Sequence, residues 1–214
     1  MPRTTPAPDK PTENSAVHPL ERSALRQEKV AAREALSPSQ HRCLSEAIAA
    51  SLGKLLQQCP PRILGFCWPI RAEFDCRPLV EIWRARGAQS CLPKVSAPGT
   101  ALEFRAWRPD SEMLRDRYGI PYPATGEILF PDVLLLPVNA FDAAGYRLGY
   151  GAGYFDRTLA QLTAQGRHPL TIGVGFELAR VDSIHPAPHD IPLDAVVTEG
   201  GIAVFSSRIA HWPQ

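Results

Sequence analysis

The pattern of apolar and polar positions divides the chain into helical stretches and short apolar runs that alternate. Residues 19–36 repeat their apolar positions at helical spacing and predict a first helix. Ser37-Pro38-Ser39-Gln40 opens a second. Ser37 caps, Pro38 takes the first helical position, and Gln40 closes a capping box. Leu44, Ile48, Leu52 and Leu55 then form a stripe to be buried, and Pro60-Pro61 ends the helix. Residues 63–66 read as a buried strand. Asp75 can cap a third helix to about Arg86, with Leu79, Ile82 and Trp83 facing inward and Gly87 as its stop. Residues 90–93 and 102–107 read as strands. Residues 133–138 are apolar on both faces, as in a parallel strand covered from each side. A glycine-rich turn follows, then a helix to about Ala164 and a strand at 170–174. Residues 195–198 and 202–205 flank Glu199-Gly200-Gly201, a hairpin signal. Strands alternating with helices predict an α/β layer fold.

Composition narrows the picture. Residues 1–18 are rich in Pro, Thr and Ala and hold few large apolar groups, so a disordered tail is expected before a domain spanning 19–214. A length of 214 residues suits one domain with a real core. The formal net charge of +1 argues against a nucleic-acid partner held by bulk electrostatics. No apolar run approaches the roughly 20 residues that span a bilayer, and no signal-peptide pattern opens the chain. A cytoplasmic monomer acting on small molecules is expected. The five cysteines are odd in number and hold no CxxC pair, which fits reduced thiols better than a disulfide framework.

Four groups of residues carry candidate chemistry. The densest is Arg147-Leu148-Gly149-Tyr150-Gly151-Ala152-Gly153-Tyr154-Phe155-Asp156-Arg157, between a buried strand and a helix. Glycines let backbone N–H groups approach an anion, and a helix N-terminus favours negative charge. Arg147 can pair bidentately with phosphate, and Asp156 can bind magnesium or cap the helix. The plain alternative is a tight turn without a ligand; no P-loop lysine follows, and the pattern is not a Rossmann fingerprint. Second, Arg22, Arg26, Lys29 and Arg33 fall on one helical face, either to receive a polyphosphate or as a solvated charged face. Third, residues 66–73 follow the first strand, where open α/β sheets bind ligands. There Trp68 can stack on a flat heterocycle and Glu73 can accept ring N–H groups, or Trp68 belongs to the core and Glu73 to the surface. Fourth, Asp194 in His189-Asp190-Ile191-Pro192-Leu193-Asp194 is a second candidate magnesium ligand, or a loop aspartate.

Together these residues resemble the 5-formyltetrahydrofolate cyclo-ligase family, over about residues 20–205. The most specific stretch is Leu136-Pro137-Val138-Asn139-Ala140-Phe141-Asp142, then Gly145, then Arg147 through Arg157. It follows the family pattern P-x-x-x-F-D-x-x-G-x-R-L-G-x-G-x-G-Y-Y-D-R. Leu25-Arg26, Glu73 before Asp75, Leu92-Pro93, Tyr118-Gly119-Ile120 and the 192–199 segment add support. The resemblance implies one α/β domain with a mostly parallel sheet between helices, related to the sugar-phosphate isomerase and CoA-transferase group. It implies ATP as co-substrate, held by Arg22, Arg26 and residues 147–155, with Mg²⁺ on Asp156 and Asp194. Folate contacts fall on Trp68, Glu73 and the run Tyr150, Gly151, Ala152, Gly153 and Tyr154, with Arg147 and Tyr154 as catalytic groups. Three positions depart from the family: Arg22 replaces a lysine, Phe155 the second tyrosine, and Tyr122 a glutamate.

The implied reaction is phosphorylation of the formyl oxygen by ATP, then ring closure to 5,10-methenyltetrahydrofolate with release of ADP and phosphate. Its demands are charge neutralisation and proximity, which Arg147, magnesium and the glycine loop would meet. Rival readings are another enzyme of the same fold group and a non-catalytic nucleotide- or folate-binding protein.

Overall fold

The computed structural model describes residues 17–212. Most of the expected disordered tail therefore lies outside the described residues. Its last two positions, 17 and 18, already belong to the first helix, α1 (Val17–Glu34). The capping box forms as expected: Gln40 N donates to Ser37 Oγ, and Ser37 N donates to Gln40 Oε1. It starts α2 (Pro38–Gln58), which buries Ile48, Leu52, Leu55 and Leu56.

Chain order then gives β1 (Ile63–Gly65), α3 (Arg77–Ala85), β2 (Gln89–Lys94) and β3 (Glu103–Ala106). Two short strands, β4 (Met113–Arg115) and β5 (Pro121–Pro123), form a separate hairpin. After β6 (Val133–Pro137), a second ribbon pairs β7 (Ala140–Phe141) with β8 (Arg147–Leu148). The chain ends with α4 (Tyr154–Ala164), β9 (Leu170–Val174), β10 (Ala195–Thr198) and β11 (Gly201–Val204). Seven strands make the central sheet in the order β11-β10-β9-β6-β1-β2-β3. The five inner strands run parallel, and β3 and β11 pair antiparallel at the edges.

Both faces of the sheet are covered, which is why its middle strand is apolar throughout. Val133 and Leu135 pack with the α2 stripe and with Leu79 and Trp83 of α3. Leu134 and Leu136 pack on the other side with Leu159 of α4 and with Phe104 and Val196. Each fully buried leucine of this kind contributes about 1.5–3 kcal/mol.

Two details of α3 differ from expectation. Ile82 is 49% exposed, because Leu79, Val80 and Trp83 make the buried face of this short helix. Asp75 lies one residue before the cap, at Cys76, and its Oδ1 accepts from Arg77 N. The β7–β8 ribbon matters more, since it carries Arg147 to the site. Asp142 holds its turn: Oδ1 accepts from the Ala144 and Tyr146 amides and Oδ2 from Ile184 N. Gly145 completes the turn at φ 84, where an added Cβ would lie 2.8 Å from the Phe205 ring.

Candidate active site

A cleft of about 700 Å³ opens beyond the carboxyl ends of β1 and β6. Parallel strands all end there, and the loops that leave them converge. Residues of α1, the loop after β1, the β4–β5 hairpin, the loop from β8 into α4, and the segment before β10 form its walls.

One end of the cleft gathers backbone amides and arginines, a surface suited to an anion. Gly149 to Gly153 lead into α4, and the amides of these residues donate no hydrogen bond to another described residue. Gly153 caps α4 in the left-handed region (φ 64), a conformation that costs any residue with a Cβ about 1–2 kcal/mol. Gly151 is also left-handed (φ 95) and lies against the Arg26 guanidinium. Arg26 Nε donates to Gly149 O at 2.6 Å, so α1 and the loop are joined. Burial, then the charge of Arg22, lowers the Arg26 pKa from its ordinary value. Arg22 faces the same space, bonded through both terminal nitrogens to Asp190 at 2.5 and 3.2 Å. Arg147 is 6% exposed; Nη1 donates to Ile191 O at 3.0 Å, and Nη2 lies 3.2 Å from Asp156 Oδ1.

The other end is suited to a flat ring. Trp68 is half-buried on the cleft wall, with the Arg77 guanidinium 4.4 Å from its ring centroid. Glu73 is 7% exposed. Its Oε2 accepts from Ile70 N at 3.0 Å and its Oε1 from the Tyr150 hydroxyl at 2.7 Å. Burial raises the Glu73 pKa, against the hydrogen bonds from Ile70 and Tyr150 and the charge of Arg33. Burial, then Glu73, raises the Tyr150 phenol, which stays a donor. Tyr154 at the start of α4 and Tyr118 of the β4–β5 hairpin share a hydroxyl contact of 3.1 Å, and this bond is the main cause that raises Tyr154. Cys67 also lines the cleft, but burial pushes its thiol well up, as it does those of Cys76 and Cys91. None of these three is a ready nucleophile.

The structure brings Arg22, Arg26, Trp68, Glu73, Arg147, Gly149, Tyr150, Gly151, Ala152, Gly153, Tyr154, Phe155 and Asp156 to this one cleft. Of the residues that the resemblance assigns to the site, Leu148 and Asp194 do not reach it. Leu148 is fully buried with Ala140 and Ile184, and its carbonyl accepts from Asn139 N. Asp194 precedes β10 and so sits at the amino end of the parallel strands. Its carboxylate is taken by Thr171 N and Oγ1 and by Arg208. The acid that does face the cleft from this segment is Asp190, four residues earlier. Burial raises its pKa, but hydrogen bonds from Arg22 and the Ala187 amide outweigh that and leave it low. Sequence reasoning passed over Asp190 in favour of Asp194, and it read Arg33 as part of a phosphate-facing or solvated stripe, whereas the structure buries it. The predicted cation face also splits: Arg22 and Arg26 line the cleft, Lys29 lies 3.4 Å from Glu28, and Arg33 is buried. Of the family departures, Phe155 lines the cleft and packs partly into the core, and Tyr122 lies under Lys94.

Oxygen donors are what Mg²⁺ takes, and it keeps several positions for phosphate and water. Asp156 and Asp190 line the cleft beside the glycine loop and could supply such donors by exchanging their present partners, Arg147 for Asp156 and Arg22 for Asp190. Among the described residues no cluster of three or more metal-binding side chains occurs.

An end with free backbone amides and arginines facing an end with Trp68 and Glu73 suits an enzyme class that brings a nucleotide and a flat co-substrate together on an α/β sheet. Residues 19–199 match the model of the 5-formyltetrahydrofolate cyclo-ligase family. The chain is 33% identical to 5-formyltetrahydrofolate cyclo-ligase of Escherichia coli over 178 residues, which is 78% of this chain and 93% of that one. It is 26% identical to the enzyme of that name from Haemophilus influenzae, covering 80% and 94%. The fold is similar to the NMR structure of Aquifex aeolicus 5,10-methenyltetrahydrofolate synthetase, with a TM-score of 0.71, 29% identity, and 86% and 92% of the two chains covered. A 5,10-methenyltetrahydrofolate synthetase from Mycoplasma pneumoniae gives a TM-score of 0.64 at 27% identity, covering 84% and 99%. This chain belongs to the 5-formyltetrahydrofolate cyclo-ligase family.

Proposed function

We propose that this enzyme converts 5-formyltetrahydrofolate to 5,10-methenyltetrahydrofolate with ATP, releasing ADP and phosphate. Family membership over residues 19–199 supports the reaction. The observation that carries it physically is one cleft with an amide-rich loop and three arginines at one end and Glu73 and Trp68 at the other.

The formyl group on the 5-nitrogen is an amide, and its oxygen is a poor leaving group. Attack of that oxygen on the terminal phosphorus of ATP expels ADP and makes it a good one. The 10-nitrogen then attacks the activated carbon, loses its proton, and phosphate departs as the ring closes. Arg22, Arg26 and the amides of residues 149–153 hold the polyphosphate. Arg147 offsets charge on the transferring group, where such catalysis mostly lies. Glu73 accepts pterin N–H groups, Trp68 covers the ring, and Tyr150 with the neighbouring loop residues keeps formyl oxygen and phosphorus close. Tyr154, protonated at neutral pH, donates a hydrogen bond to the reacting oxygens. Asp156 and Asp190 would hold magnesium, which when bound neutralises polyphosphate charge. Asp194 is not part of that set.

The substrates are small molecules, and we place the enzyme as a monomer. Among the described residues no helix is long and apolar enough to cross a membrane; we place the enzyme in the cytoplasm.

The test is one cuvette with protein, Mg-ATP and 5-formyltetrahydrofolate, followed by ultraviolet absorbance. ATP-dependent growth of the methenyl band is expected. Tight binding of both ligands with no absorbance change would instead favour a non-catalytic binding protein.

A further inference from the structure

Arg33 stands on the same helical face as Arg22 and Arg26 but meets neither solvent nor the phosphate end. It is 4% exposed and lies beneath the ring-holding end of the cleft. Its guanidinium touches three elements at once. Nε donates to Arg71 O at 3.0 Å, in the loop after β1. Nη1 donates to Asn139 Oδ1 at 3.0 Å, just past β6. Nη2 donates to the Tyr150 hydroxyl at 3.1 Å, on the glycine loop, and lies 3.9 Å from Glu73 Oε1. Because the Tyr150 oxygen accepts from Arg33, its own proton is directed to Glu73, at 2.7 Å.

The loop that presents Glu73 is strained and held from α1 and α2. Arg71 and Ala72 both occupy the left-handed region, at φ 49 and 56, without being glycine. Such residues persist where their surroundings over-determine them. Here Arg33 holds the Arg71 carbonyl, Glu34 pairs twice with the Arg71 side chain at 2.8 Å, and His41 Nε2 lies 3.0 Å from Ala72 O. A buried guanidinium is costly to desolvate, and a plain packing role would be met at lower cost by an apolar residue.

We propose that Arg33 is a positioning residue for the folate half-site, fixing Glu73 and Tyr150 so that the carboxylate meets the pterin N–H groups already oriented and ionised. The proposal rests on the role given to Glu73 above. Among the described residues, the charged and titratable groups facing Glu73 are Arg33 from α1, Tyr150 from the glycine loop, Arg71 and Cys67 from its own loop, and Cys76 at the start of α3. Arg71 is half-exposed and already paired with Glu34, so Arg33 is the buried cation of the group. Burial opposes ionisation of Glu73 and Arg33 favours it. Loss of Arg33 therefore moves the titration upward, and folate affinity falls on the acid side first.

The experiment follows the Glu73 carboxyl by carbon-13 NMR titration in the wild-type protein, Arg33→Met and Arg33→Lys, with the signal assigned through Glu73→Gln. Dissociation constants for 5-formyltetrahydrofolate and for Mg-ATP are measured in parallel across pH. In Arg33→Met the midpoint should rise by about one unit or more. Folate affinity should fall about tenfold between the two midpoints, and Mg-ATP affinity should stay near that of the wild type. Arg33→Lys keeps the charge but loses the fork, so the midpoint should stay close to wild type while the folate dissociation constant rises. If Arg33→Met does not fold, Arg33→Gln serves in its place, because it keeps a hydrogen-bond donor but removes the charge and should also raise the midpoint. A folded variant with an unmoved midpoint and unchanged folate affinity would overturn the proposal. If the wild-type protein shows the expected midpoint but does not bind the folate, the functional reading fails and the proposal with it. If folate binds normally and the midpoint ignores position 33, the proposal alone fails.

Discussion

Replacing Arg147 with alanine should separate catalysis from folding. The side chain is nearly buried, and its two terminal nitrogens have different partners, Ile191 O and Asp156. Alanine leaves the Ile191 carbonyl without its donor. Asp156 loses its cation but keeps the Ile191 amide at 3.2 Å and some contact with solvent. One unpaired acceptor and one partly screened carboxylate together cost about 2–4 kcal/mol. For a domain of this size that is a fall in Tm of roughly 5–15 °C, so the variant should fold at 25 °C. Activity should fall much further. A preorganised donor aimed at developing charge is worth about 10²–10³ in kcat, or roughly 3–4 kcal/mol. The assays are thermal unfolding by circular dichroism and initial rates of methenyl formation at saturating Mg-ATP. Arg147→Lys keeps a charge but cannot reach both partners in the same geometry, and should fall between wild type and alanine. A folded Arg147→Ala enzyme whose kcat stays within about threefold of wild type would refute the assignment, since so small a change is under 1 kcal/mol of barrier.

Other consequences are open to test. Burial raises the folded pKa of Glu73 above its ordinary value of 4.5, so the folded state holds that proton more tightly. The stability of the wild type relative to Glu73→Gln should therefore decline as pH rises from about 4.5 through the folded pKa, as urea midpoints would show; a flat or rising difference would contradict the burial argument. Tyr154→Phe removes a hydroxyl whose partner is the exposed Tyr118, so stability should change by no more than about 0.5 kcal/mol. Its kcat should fall about 10²-fold, and an unchanged kcat would take Tyr154 out of the chemistry. Asp190→Asn should raise the magnesium concentration needed for half-maximal rate, whereas Asp194→Asn should lower Tm and leave that concentration unchanged. Magnesium titrations of the two variants would show the reverse order if the cation sat at the amino end of the strands.

Much of the scaffold was legible because its signals are local and repeated. The Ser37–Gln40 box, the stripe along α2 and the strand at 170–174 follow from spacing and cap chemistry that need no tertiary information. The two-sided apolar run at 133–138 also announced its own environment. Strands of two or three residues, β4, β5, β7 and β8, are too short to show a period, and they were missed although they shape the cleft. Ile82 illustrates a related limit: on a nine-residue helix the buried face is set by where the helix lands, and a neighbouring apolar position falls outside it.

The cleft was legible where a local backbone pattern forms its wall and less so where it depends on which end of a strand a residue occupies. Glycines between a buried strand and a helix mark a tight turn with accessible amides, and the structure has that turn at the cleft. Asp190 and Asp194 share a loop and a chemistry, and β10 sends one toward the cleft and the other toward Thr171 and Arg208. Leu148 lies inside the most specific motif, yet its side chain holds the β7–β8 ribbon on the core. Arg33 was the hardest to read. An arginine at helical spacing from two others has the pattern of a solvated face, and its burial is decided by Glu73, Asn139 and Tyr150, all distant in sequence.

The most direct test of the account is a crystal structure with a non-hydrolysable ATP analogue and magnesium. Phosphate oxygens should lie within hydrogen-bond distance of the amides between Gly149 and Gly153, with Arg22, Arg26 and Arg147 around them and Glu73 still facing the ring end. A nucleotide bound elsewhere, or a loop that stays packed against α1 with its amides turned away from the phosphates, would contradict it.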